Sequence, residues 1–199
     1  MQKYKGEIFM KKIGILIIFV LLMAAITTAH AENKEGSFYL TPSVGGYFFE
    51  GNQDYKDNIT LGLRAGYNFT EHFGTEFFCN LLESKFEDTD GVNRVYVAGI
   101  EGLYHFIPRG SFVPFLAIGI GAIHYTSGDP ELQPSKFAVD YGAGVNFFIT
   151  DDIAMRADVR HVLPLGNSSK YGDNPNDIHN DLLVTLGITF AFGGKKAIE

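Results

Sequence analysis

Three features of the chain predict an all-β fold, an eight-stranded antiparallel up-and-down transmembrane β-barrel. Eight stretches of two-residue alternation run from about Phe38 to Phe192. The connections between them alternate between short and long. No apolar run after the first 31 residues is long enough to cross a bilayer as a helix. Alternation gives one strand two chemically different faces. A lipid-spanning barrel needs an apolar outer face and a small polar inner one.

The strands follow in order. The first, 37–49, begins at Ser37 and ends on aromatic residues. The second, 58–70, shows the pattern most clearly: Ile59, Leu61, Leu63, Ala65, Tyr67 and Phe69 alternate with Thr60, Gly62, Arg64, Gly66 and Asn68. A short turn, Thr70 to Phe73, leads to a third strand, 74–86. The fourth, 93–106, is joined to the fifth, 111–125, by Ile107 to Gly110. The sixth, 135–149, is joined to the seventh, 153–163, by Thr150 to Asp152. The eighth spans 181–192. Longer polar connections fall at Glu50–Asp57, Glu87–Val92, Thr126–Pro134 and Pro164–Asn180. In outer-membrane barrels tight turns face the periplasm and longer loops face outward, so both chain ends are expected on the periplasmic side.

A hairpin repeat runs through this pattern. Gly66, Gly102, Gly144 and Gly187 each open the closing run of a downward strand and recur 36, 42 and 43 residues apart. Aromatic residues gather at both strand ends. Phe69, Phe73, Phe106, Phe112, Phe147, Phe190 and Phe192 mark the lower rim, and Phe48, Phe86, Tyr96, Tyr125 and Phe137 the upper. Two such girdles fit two membrane interfaces. A soluble barrel would carry a dense Lys/Glu face outside. Here the second face is mostly small and weakly polar, which suits a crowded lumen.

The first 31 residues read as a cleaved secretory signal. Lys11 and Lys12 precede an apolar run, Ile13 to Ile26, and Ala29-His30-Ala31 forms a small-x-small cleavage site. Met1 and Met10 are both available initiators. Residues 32–192 form the barrel and 193–199 a short periplasmic tail. Losing residues 1–31 takes Lys3, Lys5, Lys11, Lys12 and Glu7 from 16 basic and 23 acidic residues and leaves a net charge of −10. That balance argues against nucleic acid as a partner. Cys79 is the single cysteine, so no internal disulfide is expected, and it falls on the lipid face beside Phe77 and Leu81.

The final strand, with Thr185, Gly187, Phe190 and Phe192, carries a polar–glycine–aromatic–aromatic pattern that matches the outer-membrane β-signal. With the leader, the eight strands and the Gly66-Tyr67-Asn68-Phe69 and Arg156-to-Arg160 runs, residues 37–192 resemble the barrel of the OmpA-type outer-membrane family. The resemblance implies insertion by the barrel-assembly machinery through that last strand. Longer relatives carry a peptidoglycan-binding domain, and only Gly193 to Glu199 follows here. A cell-wall anchoring role is therefore not expected.

The alternation turns seven charged residues inward: Arg64, Glu76, Glu101, Asp140, Arg156, Asp158 and Arg160. Arg64 and Glu76 are expected to be diagonal cross-strand neighbours, and Asp140 and Arg160 likewise. Unpaired charges in so confined a space are costly, so paired clusters are expected. Two readings stand. The cluster is a plug that fills the lumen, or a gate whose pairs exchange partners and admit ions or small solutes.

Other candidates are weaker. His124 and His161 face outward, but His161 has only Val159 and Leu163 as outward neighbours on its strand and no serine at useful spacing. Ser168 and Ser169 lie in a loop, and no enzyme activity is expected. Asp173, Asn174, Asn176, Asp177 and Asp181 match no defined Ca²⁺ spacing, and no cofactor or metal is expected. Lys56, Lys85, Arg94, Lys136 and Lys170 at the upper rim are candidates for lipopolysaccharide phosphates. The functional expectation is a monomeric structural protein of the outer membrane, in contact with its lipids and lipopolysaccharide and displaying short external loops. A narrow gated channel and a loop-based adhesin are the alternatives.

Overall fold

The computed structural model describes residues 32–48, 58–85, 92–126, 135–165 and 180–195. Eight antiparallel strands close into a barrel in sequence order: β1 (Glu35–Phe48), β2 (Asn58–Asn68), β3 (Phe73–Lys85), β4 (Val92–His105), β5 (Phe112–Thr126), β6 (Ser135–Phe148), β7 (Ile153–Leu165) and β8 (Asp181–Lys195). β1 pairs with β8, so no strand edge is left to lipid. The predicted strands stand in the same order, with ends shifted by up to three residues.

One row of cross-strand partners fixes the geometry. It runs from Phe38 through Tyr67, Thr75, Gly102, Ile118, Tyr141, His161 and Leu182, and returns to β1 at Phe48, ten residues further on. For eight strands that stagger means a tilt of roughly 40° and an interior only wide enough for side chains.

The outer face is a continuous apolar belt, with Ile59 74 % and Ile118 67 % exposed to the surroundings. Phe69, Phe73, Phe106, Phe112, Phe190 and Phe192 stand outward around the end with the short turns, and Phe48, Tyr96 and Phe137 around the other. Phe147 is half-buried. Phe86 and the Tyr125 side chain lie outside the described residues. Cys79 is half-buried on the outer wall, in register with Leu63.

The interior holds the small polar residues that alternation predicts, and apolar clusters besides. Near the upper end, Tyr47, Phe78, Leu82, Val95, Val97, Ile123, Val162 and Leu183 turn inward and form an apolar core. Lower down, Tyr39, Leu103, Phe115 and Ala117 form a second one. A barrel this narrow leaves little room for a water column. Apolar side chains therefore fill part of the interior, and buried Thr41, Thr60, Asn80, Asn146 and Thr189 supply the small polar positions among them.

The lower mouth is crossed by residues 32–34. The Asn33 N–H donates to the Pro108 carbonyl at 2.8 Å, and Glu32 forms a β-bridge with Arg109. Asn33 Nδ2 donates to the Glu71 carbonyl at 2.7 Å and lies 3.2 Å from His105 Nδ1, while its Oδ1 accepts from Asn68 Nδ2 at 2.9 Å. Lys34 Nζ meets Asp152 Oδ1 at 2.7 Å. This strap thus ties together all three short turns.

Candidate functional site

Six of the seven inward charges form one layer between the two apolar cores. Arg64 comes from β2, Glu76 from β3, Glu101 from β4, and Arg156, Asp158 and Arg160 from β7. The i, i+2, i+4 spacing on β7 turns its three side chains to the same face, as strand geometry requires. Arg64, Glu76 and Arg160 are at most 1 % exposed.

The pairing is dense. Glu76 Oε1 accepts from Arg64 Nη1 at 3.0 Å and from Arg156 Nη2 at 2.7 Å. Its Oε2 accepts from Arg156 Nη1 at 2.8 Å and from the Tyr39 hydroxyl at 2.9 Å. Glu101 Oε2 accepts from Arg160 Nη2 at 3.0 Å, and Glu101 Oε1 lies 3.4 Å from Arg64 Nη1. Asp158 touches all three guanidiniums: Arg156 Nε at 3.0 Å, Arg160 Nη1 at 3.2 Å and Arg64 Nη2 at 3.3 Å. Phe115 faces the layer from below, with the Arg156 and Arg160 guanidinium carbons 4.6 Å and 5.6 Å from its ring centroid. Phe78 lies 5.7 Å from that of Arg64. Every carboxylate oxygen of the layer faces a guanidinium, while Arg64 Nε is buried without a hydrogen-bond partner.

Arg64 lies opposite Phe78 and Glu76 opposite Gly66, so this pair is the expected diagonal neighbour. Asp140 lies opposite Val162 and Arg160 opposite Gly142, so they too are the expected diagonal neighbours. The expected ion pair does not form, because the Arg160 guanidinium reaches across the lumen to Glu101 and along its own strand to Asp158. Glu101 offers two oxygens to its guanidinium, a stronger arrangement than one diagonal contact. Asp140 Oδ2 is buried with no hydrogen-bond partner. Beside it is a void of about 10 Å³, lined by Glu101, Arg160, Ala138 and Val162 among others. A second void of about 10 Å³ lies below the layer, near Asn33 and His105. Each holds at most about one water.

The remaining sequence candidates are scattered. Thr185 points inward and is buried, Gly187 packs over Thr41 and Pro42, and Phe190 and Phe192 stand outward on β8. Arg94 is exposed on the outward phase of β4. Lys136 shares the inward phase of Ala138 and Asp140 and is half-buried, so it belongs to the mouth of the barrel and not to its outer rim. Lys56, Lys170, Ser168, Ser169, Asp173, Asn174, Asn176, Asp177 and the Lys85 side chain lie outside the described residues. Asp181 opens β8, is buried, and accepts from the Tyr47 hydroxyl at 2.9 Å. His124 bonds Ser135 Oγ at 2.9 Å, and His161 Nδ1 lies 2.7 Å from the Tyr141 hydroxyl.

Sequence reasoning missed Tyr39, Phe78 and Phe115, whose signal was an aromatic residue at an inward position of the alternation. It also missed Asn33, Asn68 and His105. Asn33 precedes the first strand and carried no periodic signal at all.

Residues 17–190 match a family model described as an outer membrane protein beta-barrel domain. Among solved structures, the chain is similar to Neisserial surface protein A, with 12 % identity, a TM-score of 0.62, and coverage of 79 % of this chain and 100 % of that one. It is also similar to the N-terminal β-barrel domain of Pseudomonas aeruginosa OprF, with 15 % identity, a TM-score of 0.57, and coverage of 80 % and 99 %. A third similar structure is OprG from Pseudomonas aeruginosa, with 11 % identity, a TM-score of 0.55, and coverage of 82 % and 99 %. At these identities the likeness concerns the fold. No curated protein matches the chain in sequence.

Proposed function

Because this chain belongs to the outer membrane protein β-barrel domain family, we propose that it is a closed, structural barrel of the outer membrane. In this reading its short turns and both chain ends face the periplasm, and its longer connections face outward. The observation that carries the reading is the charged layer. Three arginines and three carboxylates from β2, β3, β4 and β7 meet inside the lumen, with apolar packing on both sides. Among the described residues, the voids above and below this layer are each near 10 Å³, too small for a hydrated ion, which supports the closed reading.

The barrel would act mechanically. The outer belt fixes it in lipid and lipopolysaccharide, and the inner layer braces it against deformation. The assembly machinery would engage β8, and a closed monomer has no edge that demands a partner.

One observation supports a second reading, a narrow gate. Arg64 Nη1 stands 3.0 Å from Glu76 and 3.4 Å from Glu101, so partner exchange needs little movement.

Single-channel conductance of the refolded chain in planar bilayers separates the two readings. The structural reading expects no steady openings, and an Arg64→Ala barrel that is less stable and equally silent. Steady, salt-dependent openings altered by Arg64→Ala would overturn it in favour of the gate.

A further inference from the structure

The outer wall carries an open groove of about 780 Å³ that runs from β3 across to β8. Leu116 and Ile118 line it, Tyr104 lies toward its lower end, and Tyr141 and His161 toward its upper end. Two of its features have no explanation in the packing of the barrel itself.

The first is Gly102. It faces outward, and a Cβ there would meet nothing nearer than the Ile118 carbonyl oxygen at 4.0 Å. Inward glycines differ: a Cβ on Gly119 would lie 2.7 Å from both Asp140 Oδ1 and Glu101 Cγ. The interior therefore demands glycine at 119 and not at 102. At 102 the missing side chain leaves the floor of the outer groove open.

The second is the pair Tyr141 and His161. They are direct ladder partners on the lipid-facing phase, with the ring nitrogen Nδ1 2.7 Å from the hydroxyl and the rings edge-on at 5.1 Å. Tyr141 lies four residues along β6 from Phe137 of the upper girdle, roughly 10 Å deeper in the bilayer after tilt. Their mutual bond leaves His161 Nε2 without a partner among the described residues. Plain hydrocarbon offers none either, and polar groups at that depth are costly.

The geometry points to a binding site for an outer-leaflet lipid whose acyl chains carry polar groups below the headgroup, as the hydroxyacyl and acyloxyacyl chains of lipid A do. One chain lies along Gly102 and Ala143, and its hydroxyl or ester oxygen meets His161 or Tyr141. A diacyl phospholipid keeps its esters at the interface and has no group to offer at this depth. The inference rests on the orientation proposed above, and does not depend on whether the lumen conducts.

Native mass spectrometry of the refolded chain in micelles tests it, with lipid A or a dioleoyl phosphatidylglycerol supplied at equal concentration. The wild-type protein is expected to hold one lipid A, favoured over phosphatidylglycerol by about fivefold, the worth of one net hydrogen bond. Gly102→Leu and His161→Phe are expected to reduce that occupancy to the phosphatidylglycerol level. Both must retain the heat-modifiable gel mobility of a folded barrel, which the open space at Gly102 permits. Equal lipid A retention by all three proteins, no preference between the lipids, or a protein dimer in place of a lipid adduct would each overturn the site. The orientation is checked separately by an epitope placed in the connection 166–179, which antibody must reach on intact cells.

Discussion

Glu76 and Arg156 join two strands that are not neighbours. Nη1 donates to Oε2 at 2.8 Å and Nη2 to Oε1 at 2.7 Å, a two-point bond between β3 and β7 across the lumen. Ladder hydrogen bonds hold each strand to the next. This bond holds opposite walls together, which the ladder cannot do.

Removing the Glu76 charge should therefore be severe. Glu76→Gln leaves Arg156 and Arg64 short of a buried counter-charge and is expected to destabilise the barrel by about 3–5 kcal/mol. Urea unfolding from vesicles, followed by heat-modifiable mobility, measures the loss. A Glu76→Gln/Arg156→Gln cycle should give a coupling of about 1–3 kcal/mol. A coupling near zero would mean that the cross-lumen bond does not brace the barrel.

The strap predicts a contrast between two nearby substitutions. Asn33 is buried and bonded to Asn68, to the Glu71 carbonyl and to His105. Asn33→Ala should cost about 1–3 kcal/mol, since it leaves buried groups unpaired. Asp152→Asn breaks a pair in which Asp152 is 62 % exposed, and should cost under about 1 kcal/mol. Equilibrium unfolding of both variants checks the order. In Asn33→Ala, hydrogen exchange at the residue 33 amide, which donates to Pro108, should speed up.

Glycine positions should divide by the face they occupy. A Cβ on Gly142 would collide with the Val159 carbonyl oxygen of the adjoining strand, and backbone cannot step aside. Gly142→Ala should lower the yield of folded barrel sharply. Gly102→Ala, with open space around it, should leave stability within about 0.5 kcal/mol. Refolding yields read from gel mobility settle the comparison.

Cys79 reports on the wall. It is half-buried on the outer face, in register with Leu63 and Ala98. In vesicles a charged maleimide should label it far more slowly than a small apolar one, and unfolding should abolish the difference. Equal rates in the folded state would place this wall in water.

The strand order, the lipid-facing belt and the identity of the inward charges were all legible in the sequence. Each follows from a period of two, which is local: a residue's phase on its own strand decides which face it occupies. That is why Arg64, Glu76, Glu101, Asp140, Arg156, Asp158 and Arg160 could be named as inward in advance, and why Phe115 and Phe78 were readable in principle. Phase does not say which inward residues meet. The partners of Arg160 depend on the ten-residue stagger around the barrel, which sets heights on distant strands. That stagger brings Arg160 level with Glu101 of β4, and Glu101 takes the guanidinium that Asp140 does not. Asn33 reaches His105 and the turn carbonyls only because the barrel brings all three short turns to one mouth. The sequence by itself determined the faces, because alternation is a property of a single strand. Tertiary structure alone decided the contacts across the lumen and beneath it, because these depend on closure and shear, which belong to all eight strands at once.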